Sequence, residues 1–297
     1  MKRFVFFTLF LIGSMAVSGI LWITHDRAYA IVHPARGALT RSPESIGITQ
    51  YQNVSFLSAD KLTLKGWYIP PRNGSVIIFV HGHAGNRLGL WGEAVILIKQ
   101  GYGALLFDLR NSGESEGSVT TFGLQEVLDV RGAVDFVLAQ PGVDPNQIGL
   151  LGRSMGGATA LMATARIPEI RAVIAESTYT RMEDNIQTGV QRLAGLPPFP
   201  FAPLIIFWGQ QEAGIDIRQV RPIDDIATLS PRPVLLVHGE LDDLIPVVNA
   251  HQLYEAAHEP KELYLIPNAG HGGFIEAAGE AYARKITEFF NNSLVRK

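Results

Sequence analysis

The sequence contains no cysteine among its 297 residues. Disulfide bonds, thiolate metal sites and a cysteine nucleophile are therefore excluded. Charge is also sparse, because only 18% of the residues are charged and the net charge is −3. No long basic run is present, so nothing in the sequence predicts a nucleic-acid partner. With 47% hydrophobic residues the chain can bury a sizeable core, and we expect one main domain with small additions.

The N-terminal segment, residues 1–30, differs in composition from the rest. After Lys2 and Arg3, residues 4–23 read FVFFTLFLIGSMAVSGILWI and carry no charge. A helix of about 20 apolar residues spans a bilayer core. We therefore expect residues 1–30 to be a membrane anchor, with residues 4–23 in the membrane. The two basic residues before the span favour an N-terminus inside, which places the body of the protein outside the cytoplasm.

A cleavable signal peptide is the alternative for this segment, and it would lead to secretion. Residues 28–30 read Ala-Tyr-Ala, a small-x-small site that suits signal peptidase. However, the apolar run is longer than the roughly 7–15 residues of a signal-peptide core. The charged residues Asp26 and Arg27 also separate the run from that site. The retained anchor is the favoured interpretation.

The remaining chain reads as a linker, residues 31–50, followed by a folded body, residues 51–297. The body opens with two alternating segments, typical of antiparallel strands, at residues 54–58 and 62–70. Six short, continuously apolar runs follow, separated mostly by helix-length stretches, and such runs are typical of strands buried on both faces. They occupy residues 75–82, 102–110, 147–154, 170–177, 232–240 and 262–269. This alternation predicts an α/β fold with a mostly parallel sheet and helices on both faces.

An insertion at residues 178–230 interrupts the alternation. It contains a polar stretch and then an apolar, proline-rich one, LAGLPPFPFAPLIIFWG. Insertions of this length between core strands are usually functional, and this composition favours a lid over an apolar pocket or a surface that touches the bilayer. A packed helical excursion with no part in binding is the alternative.

The motif Gly-Arg-Ser-Met-Gly places Ser154 between a predicted strand, residues 148–151, and a predicted helix, residues 155–166. A serine nucleophile presented on a strand-to-helix turn needs small neighbours, here Gly152 and Gly156, because its backbone is strained. The motif alone is weak evidence for a nucleophile, since a chain with 30 glycines can contain it by chance. Its position at the end of a buried strand is the stronger indication.

A serine hydroxyl needs a histidine base and a supporting carboxylate, in the chain order Ser, Asp or Glu, His. Among the later histidines, His271 lies in the glycine-flanked loop NAGHGGF, directly after the last predicted strand. The segment VLLVHGELDDLIP offers three acids after the preceding strand, Glu240, Asp242 and Asp243. Adjacent residues point in different directions, so only one of them can face His271.

The body resembles the α/β-hydrolase superfamily, in particular membrane-anchored serine hydrolases akin to serine aminopeptidases and dienelactone-hydrolase-like members. Four segments carry the resemblance in the right order: VHGHAGN, DLRNSGESEG, GRSMGG, and HGELDDLIP followed by NAGHGGF. The resemblance implies Ser154 as nucleophile, His271 as base and Asp242 as acid, with Asp243 as the second choice. It also implies an oxyanion hole formed by the backbone N–H groups of Met155 and His83.

The implied activity is hydrolysis of an ester-type bond in a small or acyl substrate through an acyl-enzyme, with no metal and no organic cofactor. A serine peptidase or acyltransferase, a non-catalytic binding member, and a tethered scaffold whose lid binds a protein remain alternatives. A metal site from His81, His83 and Asp108 lacks a recognisable ligand spacing. We expect His81 and His83 to be structural instead, tying down the turn after the first parallel strand.

Four other polar residues have mainly structural interpretations. Asp108 and Arg110 are predicted to pair with each other after a strand, and Arg153 to anchor the turn that carries Ser154. Glu176, at a strand end, is expected either to line the pocket or to be a buried structural acid.

Overall fold

The computed structural model describes residues 2–294. Its eight strands are β1 Gln52–Leu57, β2 Thr63–Ile69, β3 Val76–Val80, β4 Gly103–Phe107, β5 Ile148–Arg153, β6 Ile170–Glu176, β7 Val234–Gly239 and β8 Lys261–Ile266. Its helices are α1 Lys2–Val32, α2 Trp91–Lys99, α3 Glu126–Leu138, α4 Met155–Arg166, α5 Met182–Ala194, α6 Pro198–Ala213, α7 Pro222–Ile226, α8 Val248–Ala256 and α9 Phe274–Ser293. Short 3₁₀ turns lie at Pro43–Ile46 and Ile217–Gln219.

The strands form one sheet in the order β1-β2-β4-β3-β5-β6-β7-β8. The pairs β1·β2 and β2·β4 are antiparallel, whereas every pair from β4 to β8 is parallel. The expected fold is therefore confirmed. The carboxyl ends of the parallel strands share one edge, which is where ligands bind in such sheets.

Two hydrophobic cores lie on opposite faces of the sheet. Successive residues of a strand point to opposite faces, so Ile78 and Val80 enter one core and Ile77 and Phe79 the other. The first core also contains side chains of α3 and α4, and the second contains side chains of α2 and α9. Burial on both faces explains why these strands read as unbroken apolar runs.

Helix α1 passes the expected boundary at residue 30 without a break and ends at Val32. Ala28 and Val32 are fully buried against the body, and Val32 belongs to the first core. The expected linker is also attached to the body, since the Arg36 guanidinium donates to the carbonyls of Ser115 and Gly117, both at 2.6 Å. Helix α1 therefore continues two residues beyond the expected boundary at residue 30, and its last turns pack against the body.

Candidate active site

Ser154 lies at the junction between β5 and α4, with φ 59° and ψ −124°. A residue with a side chain rarely adopts this backbone, which therefore stores strain. Two contacts with the end of β6 and the residues after it hold the turn: the Ser154 N–H donates to the Glu176 carbonyl at 2.8 Å, and the Thr178 hydroxyl donates to the Ser154 carbonyl at 2.6 Å.

The glycines of the motif are required by close backbone approach. A Cβ at Gly156 would collide with the Val80 carbonyl oxygen of β3, and one at Gly152 with the Gly156 carbonyl oxygen. No side chain fits at either position without displacing backbone. The two glycines of the motif thus allow α4 to pack closely against the sheet. This packing presents Ser154 at the carboxyl edge of the parallel strands.

Asp242 and His271 are in direct contact. His271, in the loop after β8, bonds through Nδ1 to Asp242 Oδ2 at 2.8 Å. The other carboxylate oxygen accepts the N–H groups of Leu244 at 3.0 Å and Ile245 at 2.8 Å. Of the other two candidate acids, Asp243 is almost fully exposed and lies 3.4 Å from Arg192, and Glu240 is also exposed.

The Asp242 carboxylate is kept charged although it is buried. Burial alone would raise its pKa, but hydrogen bonds from His238 and His271 and from the Ile245 N–H outweigh burial and hold the pKa well below its usual range. His238 is a contact that the sequence interpretation missed. Its Nε2 lies 3.3 Å from Asp242 Oδ2 and 2.8 Å from the Ile245 carbonyl oxygen.

The His271 loop packs beside the Ser154 turn. A Cβ on Gly272, the next residue, would lie 3.7 Å from the Arg153 side chain. Within residues 2–294, however, no hydrogen bond joins the Ser154 hydroxyl to the His271 ring. In unliganded hydrolases this contact is often long and tightens when substrate binds. The structure thus joins the acid to the base, and the loop that carries the base lies next to Arg153, the residue before the serine.

His81 and His83 are both fixed by hydrogen bonds. The buried His81 ring donates from Nδ1 to the Gly82 carbonyl at 2.8 Å and accepts the Leu109 N–H at Nε2 at 3.0 Å, and burial lowers its pKa. The His83 ring bonds through Nε2 to the Ile31 carbonyl of α1 at 2.7 Å, and burial lowers its pKa too. Both rings are therefore neutral, structural groups.

Arg153 forms the centre of a buried ionic network beside the nucleophile. It donates to Glu176 Oε2 at 2.7 Å and to Glu93 of α2. The Tyr282 hydroxyl of α9 donates to the other Glu176 oxygen, and the guanidinium lies 5.4 Å from the Phe274 ring centroid. Glu176 is thus a buried structural acid, and Arg153 ties the turn to α2 and β6.

The predicted pair of Asp108 and Arg110 is wrong. Asp108 instead binds Arg87, with 2.6 Å between Oδ2 and Nη2, and Arg110 binds Asp129 at 2.8 Å. Each finds a partner on a different element, because Arg87 lies in the loop after β3 and Asp129 in α3. The segment DLRNSGESEG is held by two separate buried ion pairs.

The sequence pattern of the prolyl oligopeptidase family matches residues 92–296. The chain belongs to the prolyl oligopeptidase family. It is 31% identical to the uncharacterized protein YfhR of Escherichia coli K12 over 252 residues, covering 82% of this chain and 81% of that protein. It is 29% identical to the polyketide transferase ATR5 of Stachybotrys chlorohalonatus, covering 82% of this chain and 97% of that protein.

Among solved structures, the chain is similar to the esterase Pf2001 of Pyrococcus furiosus. The TM-score is 0.76 with 24% identity, covering 89% of this chain and 98% of that one. At this identity the likeness shows the fold. With the family membership, it identifies the protein as a serine hydrolase of the α/β fold and confirms the expected superfamily.

Proposed function

We propose that the protein hydrolyses an ester-type bond through Ser154, His271 and Asp242. His271 Nε2 takes the proton of the Ser154 hydroxyl while Oγ forms a bond to the substrate acyl carbon. The same proton passes to the leaving alkoxide, and an acyl-enzyme remains. Water then attacks the acyl carbon with His271 again as base, which releases the acid and restores the Ser154 hydroxyl.

The observation that carries this proposal is a serine on a strained turn beside a histidine already bonded to a buried, charged carboxylate. The Asp242 contact orients the imidazole so that Nε2 is free for the serine, and it stabilises the protonated ring. The chain offers two oxyanion donors, the backbone N–H groups of His83 and Met155. Within residues 2–294 neither has an acceptor, as expected of groups that await a developing negative charge.

Ester cleavage is the preferred reaction because the neighbour with the TM-score of 0.76 is an esterase. A peptidase or acyltransferase is the second candidate. Its support is the oligopeptidase family name and the transferase name of one relative. The same acyl-enzyme serves all three reactions, which differ in leaving group and acceptor.

We propose that α1 remains attached to the mature protein as a membrane anchor. It is long and apolar enough to cross a membrane, by length and composition. Cleavage after Ala30 would cut α1 between its buried residues Ala28 and Val32. The basic N-terminus then places the catalytic body outside the cytoplasm.

The test uses the full chain in mild detergent with short p-nitrophenyl esters and a fluorophosphonate probe. We expect Ser154→Ala to lose labelling and at least about 10⁴-fold in kcat, as happens when a triad member is removed. Asp242→Asn should lose a similar factor, whereas its exposed neighbour Asp243→Asn should keep wild-type turnover. Wild-type turnover by Ser154→Ala would disprove the proposal.

A further inference from the structure

An apolar cavity of about 600 Å³ lies between α1 and the two largest insertion helices. This volume is within the roughly 300–1,000 Å³ typical of small-molecule sites. All three helices contribute aliphatic or aromatic side chains to its wall: Ile23 and Ile31 from α1, Ile186 and Val190 from α5, and Phe201 and Ile205 from α6. Among residues 2–294, Arg27 is the only charged residue that lines it, so the cavity suits a hydrocarbon chain.

Two lining residues connect this cavity to the active site. Leu244 donates its N–H to Asp242, on the acid side of the site. The Ile31 carbonyl is bonded to the ring of His83, on the oxyanion side. Ser154 itself does not line the cavity.

The cavity also lies where α1 leaves its most apolar stretch. Ile23, Thr24 and Arg27 line it, and they mark the change from the uncharged run to charged sequence. Trp22 is 70% exposed immediately before them, and exposed tryptophan is typical of a membrane interface. With α1 in a membrane as proposed, the cavity wall formed by Ile23, Thr24 and Arg27 would lie at the level where acyl chains of lipids meet their headgroups.

We propose that this cavity binds the acyl chain of a lipid ester taken from the membrane, with the anchor helix forming one wall of the substrate site. This inference rests on the proposed ester hydrolysis and specifies its substrate class. The insertion helices α5 and α6 then act as the lid over the acyl chain. Near the connection between these helices, Leu193 lines the cavity and is also exposed, and the exposed Phe199 follows it.

The structure offers a position to block the cavity with a matched control. Gly189 lines it from α5, and a Cβ there would approach only Leu193, at 4.0 Å. Gly189→Trp therefore projects an indole into the cavity without displacing backbone. Gln187→Trp places the same ring on the exposed side of the same helix and serves as the control.

The experiment measures kcat/KM for p-nitrophenyl esters from acetate to decanoate with the full chain in detergent. In the wild type, each methylene that enters the cavity should raise kcat/KM by up to about fourfold. For Gly189→Trp, kcat/KM should stay within twofold of the wild type on the acetate ester and should fall at least tenfold on the decanoate ester. Gln187→Trp should follow the wild-type profile.

A second measurement needs no variant. Free decanoic acid, added as decanoate, should be a competitive inhibitor of p-nitrophenyl acetate hydrolysis by the wild type, whereas butyrate should not inhibit. The inference is overturned if wild-type kcat/KM does not rise beyond butyrate, or if decanoate fails to compete. The Ser154→Ala test separates the two proposals. If Ser154→Ala is inactive and either of these two results is found, the acyl cavity is rejected and the proposed ester hydrolysis stands.

Discussion

The end of α1 contributes to the stability of the hydrolase body, and two N-terminal deletions measure this. One protein begins at Trp22 and keeps the last part of the helix. The other begins at His33 and lacks the whole of α1. The first deletion removes side chains that face away from the body, whereas the second also removes the buried Thr24, Ala28 and Val32. We expect the first protein to fold and the second to be severely destabilised.

The magnitude follows from the contacts that the second deletion removes. Burying Val32 contributes about 1.5–3 kcal/mol, and burying the Ala28 methyl about 0.8 kcal/mol. The Thr120 N–H, at a residue that is 2% exposed, loses the Val32 carbonyl, its acceptor at 2.9 Å. An unpaired buried donor costs about 1–3 kcal/mol. The total of about 3–7 kcal/mol is a large part of the whole stability of many domains.

Thermal unfolding in mild detergent, followed by near-ultraviolet circular dichroism, measures the difference. At about 2–4 °C per kcal/mol, the protein that begins at His33 should melt at least about 6 °C below the one that begins at Trp22. It should also lose short-ester hydrolysis, because His83 loses the Ile31 carbonyl that holds its ring. Equal melting temperatures and equal turnover in the two proteins would refute the reasoning.

Three further predictions concern the site itself. Gly156→Ala should destabilise the protein, because its methyl group collides with the Val80 carbonyl, whereas Gly209→Ala, with nothing within 4 Å, should raise the melting temperature slightly. Arg153→Met should lower the free energy of unfolding in urea by about 3–5 kcal/mol, because it leaves two buried carboxylates without a cation; a loss below 1 kcal/mol contradicts this. Asp242 has a depressed pKa in the folded state, so the stability that it contributes is present above pH about 4 and is lost at lower pH. The difference in melting temperature between wild type and Asp242→Asn should therefore shrink as pH falls below about 4, and a constant difference would contradict the linkage.

The sheet and the position of Ser154 could be predicted from local sequence, because their signals are local. An unbroken apolar run marks a strand buried on both faces, and a glycine on each side of the serine marks a crowded turn. Choosing Asp242 among three neighbouring acids needed the family resemblance. The local sequence does not reveal in which direction each side chain points, because the backbone conformation of the loop determines this. The backbone here places Asp242 against the N–H groups of Leu244 and Ile245.

Partners from distant elements could not be predicted. Glu93 and Tyr282 contact the Arg153–Glu176 pair from α2 and α9, at positions that look like ordinary helix residues. Asp108 similarly takes its cation from the loop after β3 rather than from its neighbour two residues away. Such contacts depend on how whole elements pack, and no short pattern encodes them.

The end of α1 contacts two elements that lie around the proposed site. Its Ile31 carbonyl holds the ring of His83, whose N–H is a proposed oxyanion donor. His25 and His33 both lie within 3.4 Å of Glu212 on α6, one of the helices around the apolar cavity. The C-terminal part of α1 is therefore bonded both to the loop after β3 and to an insertion helix. A helix outside the central sheet thus helps to hold two of the elements around the proposed site.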